Sequence, residues 1–326
     1  MYKDIVIVSA VRTPFGRYCG TLKEMDYFDL GAIPMKEVLA RVNFPADRVD
    51  EVFWGVGDTS VCKDVYTPVA ARQTLIKAGL SPRTPSVSID KACVSAMSAV
   101  HYGCRSMVAG EIDCAVAGGA TSFSQEPLIV RDLRWKGYRM GDVKMEDPLY
   151  ALGYKDYNPV AVDTDDVAKE YGVSRQEMDE WALRSHQAYG QAWEAGKMAD
   201  EMMPLKIPQA KGDPIELNID EQYRKDISME KLAKLPGIYG CQGVTAGNAP
   251  GLNDGASAIL FMTRAKAKQM GLTPLAEIVS MCSLAIEPNR LPEGPAFAAE
   301  KALKLADMKL EKLWLINLGF SFTIRS

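Results

Sequence analysis

An α/β fold is predicted for this 326-residue chain by three features of its patterning. Over residues 1–122, short apolar runs rich in β-branched residues alternate with longer stretches of helical spacing. Several of the apolar runs exit into glycine, as in GVG and AGGA. The pattern lapses in the middle of the chain and returns from Gly243 onward. Alternation of this kind favours a mostly parallel sheet covered by helices.

The elements follow in order. Asp4–Ala10 is an apolar, β-branched strand, and Leu30–Val42 carries helical spacing. Glu51–Gly57 is a strand, Pro68–Leu80 a helix, and Ser86–Ile89 a short strand leading into Cys93. Ala96–Ala109 is a long apolar helix, and Asp113–Thr121 a buried strand. In the following stretch charged and Pro-containing segments surround one well-marked helix, Gln176–Ala195. Ser174 precedes it and Glu177 comes three residues later, the signature of a capping box. Core-like patterning resumes at Gly243–Met262. Then come a strand at Leu275–Leu284, a helix at Ala296–Ala306 and a strand at Leu313–Leu318. The domain division read from this is 1–122 plus 244–270 as a first α/β half, 123–243 as an insertion with little sheet, and 271–326 as a second, incomplete half.

Composition narrows the function classes. Hydrophobic residues make up 47% and charged residues 25%, as in ordinary globular proteins. The net charge of −4 provides no basic footprint for nucleic acid. No apolar run reaches the length of a membrane span, and the N-terminus lacks the features of a signal peptide, so a cytoplasmic protein is expected. The seven cysteines are Cys19, Cys62, Cys93, Cys104, Cys114, Cys241 and Cys282. Their odd number, wide spacing and lack of a CxxC pair argue against a disulfide scaffold and a zinc site, so no metal is expected.

Cys93 is the candidate nucleophile. It lies in SIDKACVSAMSAVHYG, where a strand enters a turn and a long helix follows. Unpaired N–H groups and the dipole at a helix start favour a thiolate. The Cys93 N–H can also help to bind an oxyanion. The small residues after it let the helix pack closely. The same spacing also suits a buried, unreactive thiol. His101 and His186 are the only histidines. His101 lies eight residues along the same helix, about 12 Å away at 1.5 Å per residue, which is too far for direct proton transfer. It reads as a core or surface histidine, and His186, among polar residues, as a solvated one. The glycine-rich stretch Asn248–Gly255 suits either a tight turn or a close backbone approach to a ligand. Arg131, Arg134, Lys136, Arg139 and Lys144 form either a solvated face or an anion-attracting rim. None of the glycine fragments matches GxGxxG or a Walker A motif.

Several segments together resemble the thiolase family: VSAVRTPFG, DKACVSAM, VAGGATSFSQEP, DVAKEYGVSRQEMDEWALRSHQ, DEQYR and TAGNAPGLNDGASA. Their order and spacing extend the resemblance over essentially the whole chain. It implies two similar α/β halves and an inserted loop domain that grips coenzyme A. It also implies a cysteine that attacks an acyl-CoA thioester and holds the acyl group, after which 3-ketoacyl-CoA is formed or cleaved. Covalent catalysis of this kind splits one difficult step into two. Cys93 takes the nucleophile's place. Arg224, Tyr239 and Ala246 match positions lining the coenzyme A site. Asn317 matches an oxyanion-side water position, and Phe320 a substrate-side position. Coenzyme A thioesters are then substrates, with no permanently bound cofactor, and a homodimer or homotetramer is implied.

The sequence departs from the family pattern in places. Pro250 replaces the serine of GNASG and supplies neither a hydroxyl nor an N–H. Pro159, Val160 and Ala161 stand where members often carry His-Met-Gly. Asn317 is followed by Leu318, Gly319 and Phe320 instead of Glu-Ala-Phe. The family's later Gly-His-Pro and Cys-x-Gly-Gly-Gly segments do not appear. These departures lead to the expectation of a C-terminal truncation, read as a slipped frame, with impaired turnover and either low solubility or an oligomer covering the exposed sheet. The alternative function is a non-catalytic, acyl-CoA-binding or assembly protein of the same ancestry. A ketoacyl synthase is disfavoured by the GNAPGLNDGA loop, and a cysteine hydrolase by the lack of a histidine partner.

Overall fold

The computed structural model describes residues 2–57, 69–150, 156–209 and 211–313. In chain order the strands and α-helices are β1 (Ile5–Arg12), β2 (Gly16–Arg17), α1 (Tyr27–Ala40), β3 (Glu51–Val56), α2 (Ala70–Lys77), β4 (Ser86–Ile89), α3 (Ser95–Ala109) and β5 (Cys114–Ser122). Next come α4 (Leu133–Lys136), α5 (Val160–Glu170), α6 (Arg175–Glu194), β6 (Leu205–Ile207), β7 (Ile215–Leu217) and α7 (Met229–Ala233). The series ends with β8 (Asn253–Thr263), α8 (Arg264–Gln269), β9 (Ala276–Glu277) and α9 (Gly294–Ala306).

One sheet has the order β4-β3-β5-β8-β1-β9, with β2 also paired to β8. β3 runs parallel to β4 and β5, joined through the crossovers α2 and α3. β8 is antiparallel to both β5 and β1, and β1 is antiparallel to β9. The expectation of a mostly parallel sheet is therefore corrected to a mixed one. Strand–helix–strand units give parallel neighbours. β8 instead enters between β5 and β1 after the long excursion through α4–α7, so no single crossover helix sets its direction.

The two faces of the sheet are sorted by the two-residue repeat of the strands. Val52, Trp54 and Val56 of β3 face a core shared with α1 and α2. Phe53 faces the other way, with Ala99, Cys104 and Met107 of α3. β8 is buried along most of its length, as a strand covered on both faces must be.

Local chemistry sets the helix ends. Asp26 accepts from the backbone N–H groups of Phe28 and Asp29, which moves the start of α1 back to Tyr27, ahead of the expected Leu30. The expected capping box is present at Ser174 and Glu177. The expected strand at Leu275–Leu284 is cut to the two residues of β9. Leu275 donates to the Ile7 carbonyl and Ile278 to that of Ile5. β1 begins at Ile5, so residues beyond Ile278 run past the end of their partner. The inserted segment carries the small β6–β7 ladder in addition to its helices. Of the expected strand Leu313–Leu318, all but Leu313 lies outside the described residues, as does Pro68 of the expected second helix.

α3 crosses β3 at unusually short range. A Cβ on Gly55 would sit 2.5 Å from the Ala96 backbone nitrogen. On Gly103 it would sit 2.5 Å from the Phe261 ring. Glycine at these positions sets the depth of the helix, and with it the height of the turn that precedes it. Gly55→Ala is expected to destabilise the fold by about 1–3 kcal/mol through overpacking. Chemical denaturation measures this, and unchanged stability would rule out so close a packing.

Candidate active site

Cys93 lies in a 3-10 turn, Ala92–Val94, immediately before α3, and its side chain is exposed. The N–H groups of such a first turn have no partner within the helix. Ala92 has φ 48°, a left-handed conformation that costs a non-glycine residue energy. Ser95 holds this turn. It is buried, and its Oγ accepts from Lys91 N–H and donates to the Ala92 carbonyl, each at 2.7 Å. Asp90 accepts from Ala92 N–H at 3.1 Å. Lys91 Nζ reaches Ser283 Oγ at 3.2 Å, tying the turn to the segment after β9. The thiol is thus presented on a braced turn. Cys104 and Cys114 are the buried, inert kind, and burial pushes both thiols up to about 12.

Neither histidine is paired with Cys93 among the described residues. His101 is buried on α3, and its Nε2 lies 3.2 Å from the Tyr2 hydroxyl. It belongs to the core, one of the two sequence readings. His186 departs from its expected solvated position. It is half-buried, stacks near Tyr223 and accepts from Arg224 N–H at 3.2 Å. Burial lowers the affinity of both imidazoles for a proton. Arg224 adds to the effect at His186, and Arg105 and Lys91 add to it at His101.

Among the residues matched by resemblance, Tyr239 and Ala246 belong to one small antiparallel pairing, on opposite sides of its Gly237–Thr245 bridge. Ile238 N–H donates to the Val244 carbonyl at 3.1 Å, and Gly237 bridges Thr245. Both side chains are exposed. Tyr239 has φ 50°, and its hydroxyl donates to the Tyr150 carbonyl at 2.6 Å. Arg224 is also exposed, with its backbone held on α6 through His186. Asn317 and Phe320 lie outside the described residues.

The glycine-rich stretch is anchored from within. Asp254 is fully buried and accepts from Ser124 N–H at 2.9 Å and from the Ser124 hydroxyl. Burial raises the pKa of its carboxyl despite those hydrogen bonds. The cationic stretch after β5 is exposed. Arg131 and Lys144 face Glu146, and Lys136 faces Asp132. This is largely the solvated face that was one of its sequence readings.

One set of partners was not assigned from sequence. Arg12, in VSAVRTPFG, grips both oxygens of Asp220, in DEQYR, at 2.8 and 3.1 Å. Asp220 also accepts from Phe15 N–H at 2.7 Å. Glu221 accepts from the N–H groups of Arg17 and Thr21. These motifs therefore carry the contact that ties the segment preceding Arg224 to the sheet. Their co-occurrence in the sequence was the available signal, but spacing alone could not pair them. Among the described residues there is no cluster suited to hold a metal ion, and no helix is long and apolar enough to cross a membrane.

Iodoacetamide is expected to alkylate Cys93 and Cys19 in the folded protein and to spare Cys104 and Cys114. Ser95→Ala should slow the reaction at Cys93 and leave that at Cys19 unchanged, as read by peptide mass spectrometry. Equal reactivity at Cys93 would show that Ser95 does not hold the turn. The two depressed histidines also predict a pH dependence. The unfolded chain takes up protons near the ordinary value of 6.5, before the folded chain does. Their contribution to stability is therefore full above that pH and is lost as pH falls through it toward their folded values. Denaturation midpoints across this range should fall with acidity, and less so in His186→Gln and His101→Gln.

Comparison with known proteins fits this geometry. The family model "Thiolase, N-terminal domain" matches residues 5–265. An acetyl-CoA acetyltransferase of Cupriavidus necator is 37% identical over 327 aligned residues, covering 99% of this chain and 82% of the relative. The human mitochondrial 3-ketoacyl-CoA thiolase superposes with a TM-score of 0.90 at 32% identity, over 98% of this chain and 81% of that one. The same human enzyme in complex with CoA gives 0.89 at 32% identity, over 98% and 80% of the two chains. This chain belongs to the thiolase family.

Proposed function

We propose that the chain is an acyl-CoA C-acyltransferase that forms or cleaves 3-ketoacyl-CoA through an acyl-Cys93 intermediate. The observation that carries this reading is the exposed thiol of Cys93, held on a braced left-handed turn ahead of α3. The relatives named acetyl-CoA acetyltransferase support the reaction class, and the CoA-bound human enzyme supports the ligand.

In the first step Cys93 Sγ, having lost its proton to solvent, attacks the thioester carbonyl of an acyl-CoA. The carbonyl oxygen becomes an oxyanion next to the Cys93 N–H, where donors aimed at developing charge matter most. Collapse of the adduct forms the Cys93 thioester and releases CoA thiolate, which takes up a proton. In the synthetic direction the α-carbon of a second acyl-CoA, after loss of a proton, attacks this thioester. The carbon–carbon bond forms, and Cys93 leaves as a thiolate that takes up a proton from solvent, balancing the one lost from the α-carbon. Thiolysis runs the same steps in reverse, with CoA as the incoming thiol.

Arg224, Tyr239 and Ala246 are the residues we assign to the coenzyme A side, all of them exposed. Asn317 and Phe320 are kept as proposals for the oxyanion side and the acyl side. The division into 1–122 plus 244–270, 123–243 and 271–326 belongs to the same proposal, with 123–243 supplying the CoA grip. A homodimer or homotetramer is proposed on the same footing.

Both histidines of the 326-residue sequence are engaged away from Cys93. Incubation with acetyl-CoA followed by mass spectrometry should show one acetyl group on Cys93, absent in Cys93→Ala. An unmodified Cys93 would leave only acyl-CoA binding and would overturn the proposal.

A further inference from the structure

Two buried carboxylates lie on the inserted helices, away from the cysteine turn. Asp165 on α5 and Asp179 on α6 are each 2% exposed. Both are aimed at the loop between Gln242 and Asn248. Asp165 Oδ1 accepts from Gly243 N–H at 2.7 Å and from Val244 N–H at 3.1 Å, and Oδ2 accepts from Gln242 N–H at 3.1 Å. Lys169 Nζ lies 2.8 Å from Oδ2. Burial opposes ionisation of Asp165, but Lys169 and the three backbone donors outweigh it, and its pKa is lowered. Asp179 Oδ1 accepts from Asn248 Nδ2 at 2.9 Å, while Oδ2 is paired with Arg175 at 2.8 Å. Asn248 in turn donates to the Gly243 carbonyl and accepts from Thr245 N–H.

The loop is therefore held at both ends by charge. Gly243 leaves no room for a side chain, because a Cβ there would lie 2.9 Å from Asp165 Oδ1. Between the anchors only the exposed Ala246 is presented outward, next to the half-buried Gly247. The Gly237–Thr245 bridge and the Ile238–Val244 hydrogen bond carry the same constraint to Tyr239.

We infer that Asp165 and Asp179 are positioning residues for coenzyme A. They do not meet the ligand. They fix the backbone that presents Ala246 and Tyr239 to it, and so set affinity for the CoA portion of the substrate rather than the chemistry at Cys93. Buried carboxylates that saturate backbone N–H groups order a loop in this way, because each unmade bond would leave a buried charge unsatisfied. The inference rests on the acyltransferase reading of the preceding subsection.

The test compares acylation of Cys93 by two donors in the full chain. Acetyl-CoA carries the complete ligand. S-acetyl-N-acetylcysteamine carries the thioester and only the end of the pantetheine arm. For Asp165→Asn, the half-saturating concentration of acetyl-CoA should rise about tenfold, the cost of roughly one charged hydrogen bond. The limiting rate of acylation, and the rate with the short donor, should stay within about twofold of the parent chain. Asn248→Ala cuts the link from the loop side and leaves both carboxylates with their cations. It should shift the same parameter in the same direction and serves if Asp165→Asn does not fold. Unchanged half-saturation in the folded variants, or an equal loss with both donors, overturns the inference while leaving the acyltransferase reading intact. A parent chain that acetyl-CoA does not acylate overturns both.

Discussion

The close approach of α3 to β3 is the constraint on which the cysteine turn depends. The Ala96 nitrogen lies where a Gly55 side chain would begin. The helix can sit this deep only because its first turns carry Ser95, Ala96, Ser98 and Ala99 in place of larger residues. Native packing leaves little slack, so a helix seated at this depth has one position rather than a range of them. The turn before it must then cover a short gap from the end of β4. It does so by placing Ala92 in a left-handed conformation, and Ser95 satisfies the Lys91 N–H and the Ala92 carbonyl that such a turn turns inward. Exposure of Cys93 follows from this geometry.

A second set of constraints holds the inserted segment to the sheet, and it is polar. Arg12 with Asp220, Glu221 with the backbone at Thr21, and Asp254 with Ser124 are spread over four motifs far apart in sequence and the segment around Thr21. Partly buried ion pairs add little net stability, but loss of one partner is costly because the other is left uncompensated. The human thiolase that superposes on this chain was also solved with CoA, and in the present chain the segments proposed to meet that ligand are the ones held by these pairs and by Asp165 and Asp179.

Much of this was legible in the sequence, and the limits have physical causes. Both ends of β4 are legible, because Ser86–Ile89 alternates serine with β-branched residues between Pro85 and the charged Asp90 and Lys91. The capping box at Ser174 was equally readable, since it involves only residues three apart. Cys93 at a helix start was legible for the same reason. What failed was information that resides in partners distant along the chain. The direction of β8 depends on where a long excursion returns to the sheet. The length of β9 depends on where β1 begins. His186 looked solvated because its neighbours on the helix are polar, whereas its burial comes from Tyr223 and Arg224, brought back against α6. Asp165 and Asp179 carry no such signal, because an acidic residue on a helix has no local mark of burial. Asn317 and Phe320, matched only by resemblance, lie outside the described residues.

Cys93 is proposed to receive the acyl group while Tyr239, Ala246 and Arg224 hold the coenzyme. A crystal structure of the protein exposed to acetyl-CoA tests this directly. The account predicts continuous density from Cys93 Sγ to an acetyl group, its carbonyl oxygen toward the Cys93 N–H, and coenzyme A lying against Tyr239, Ala246 and Arg224. A bare Cys93 with coenzyme A bound at another surface would contradict it.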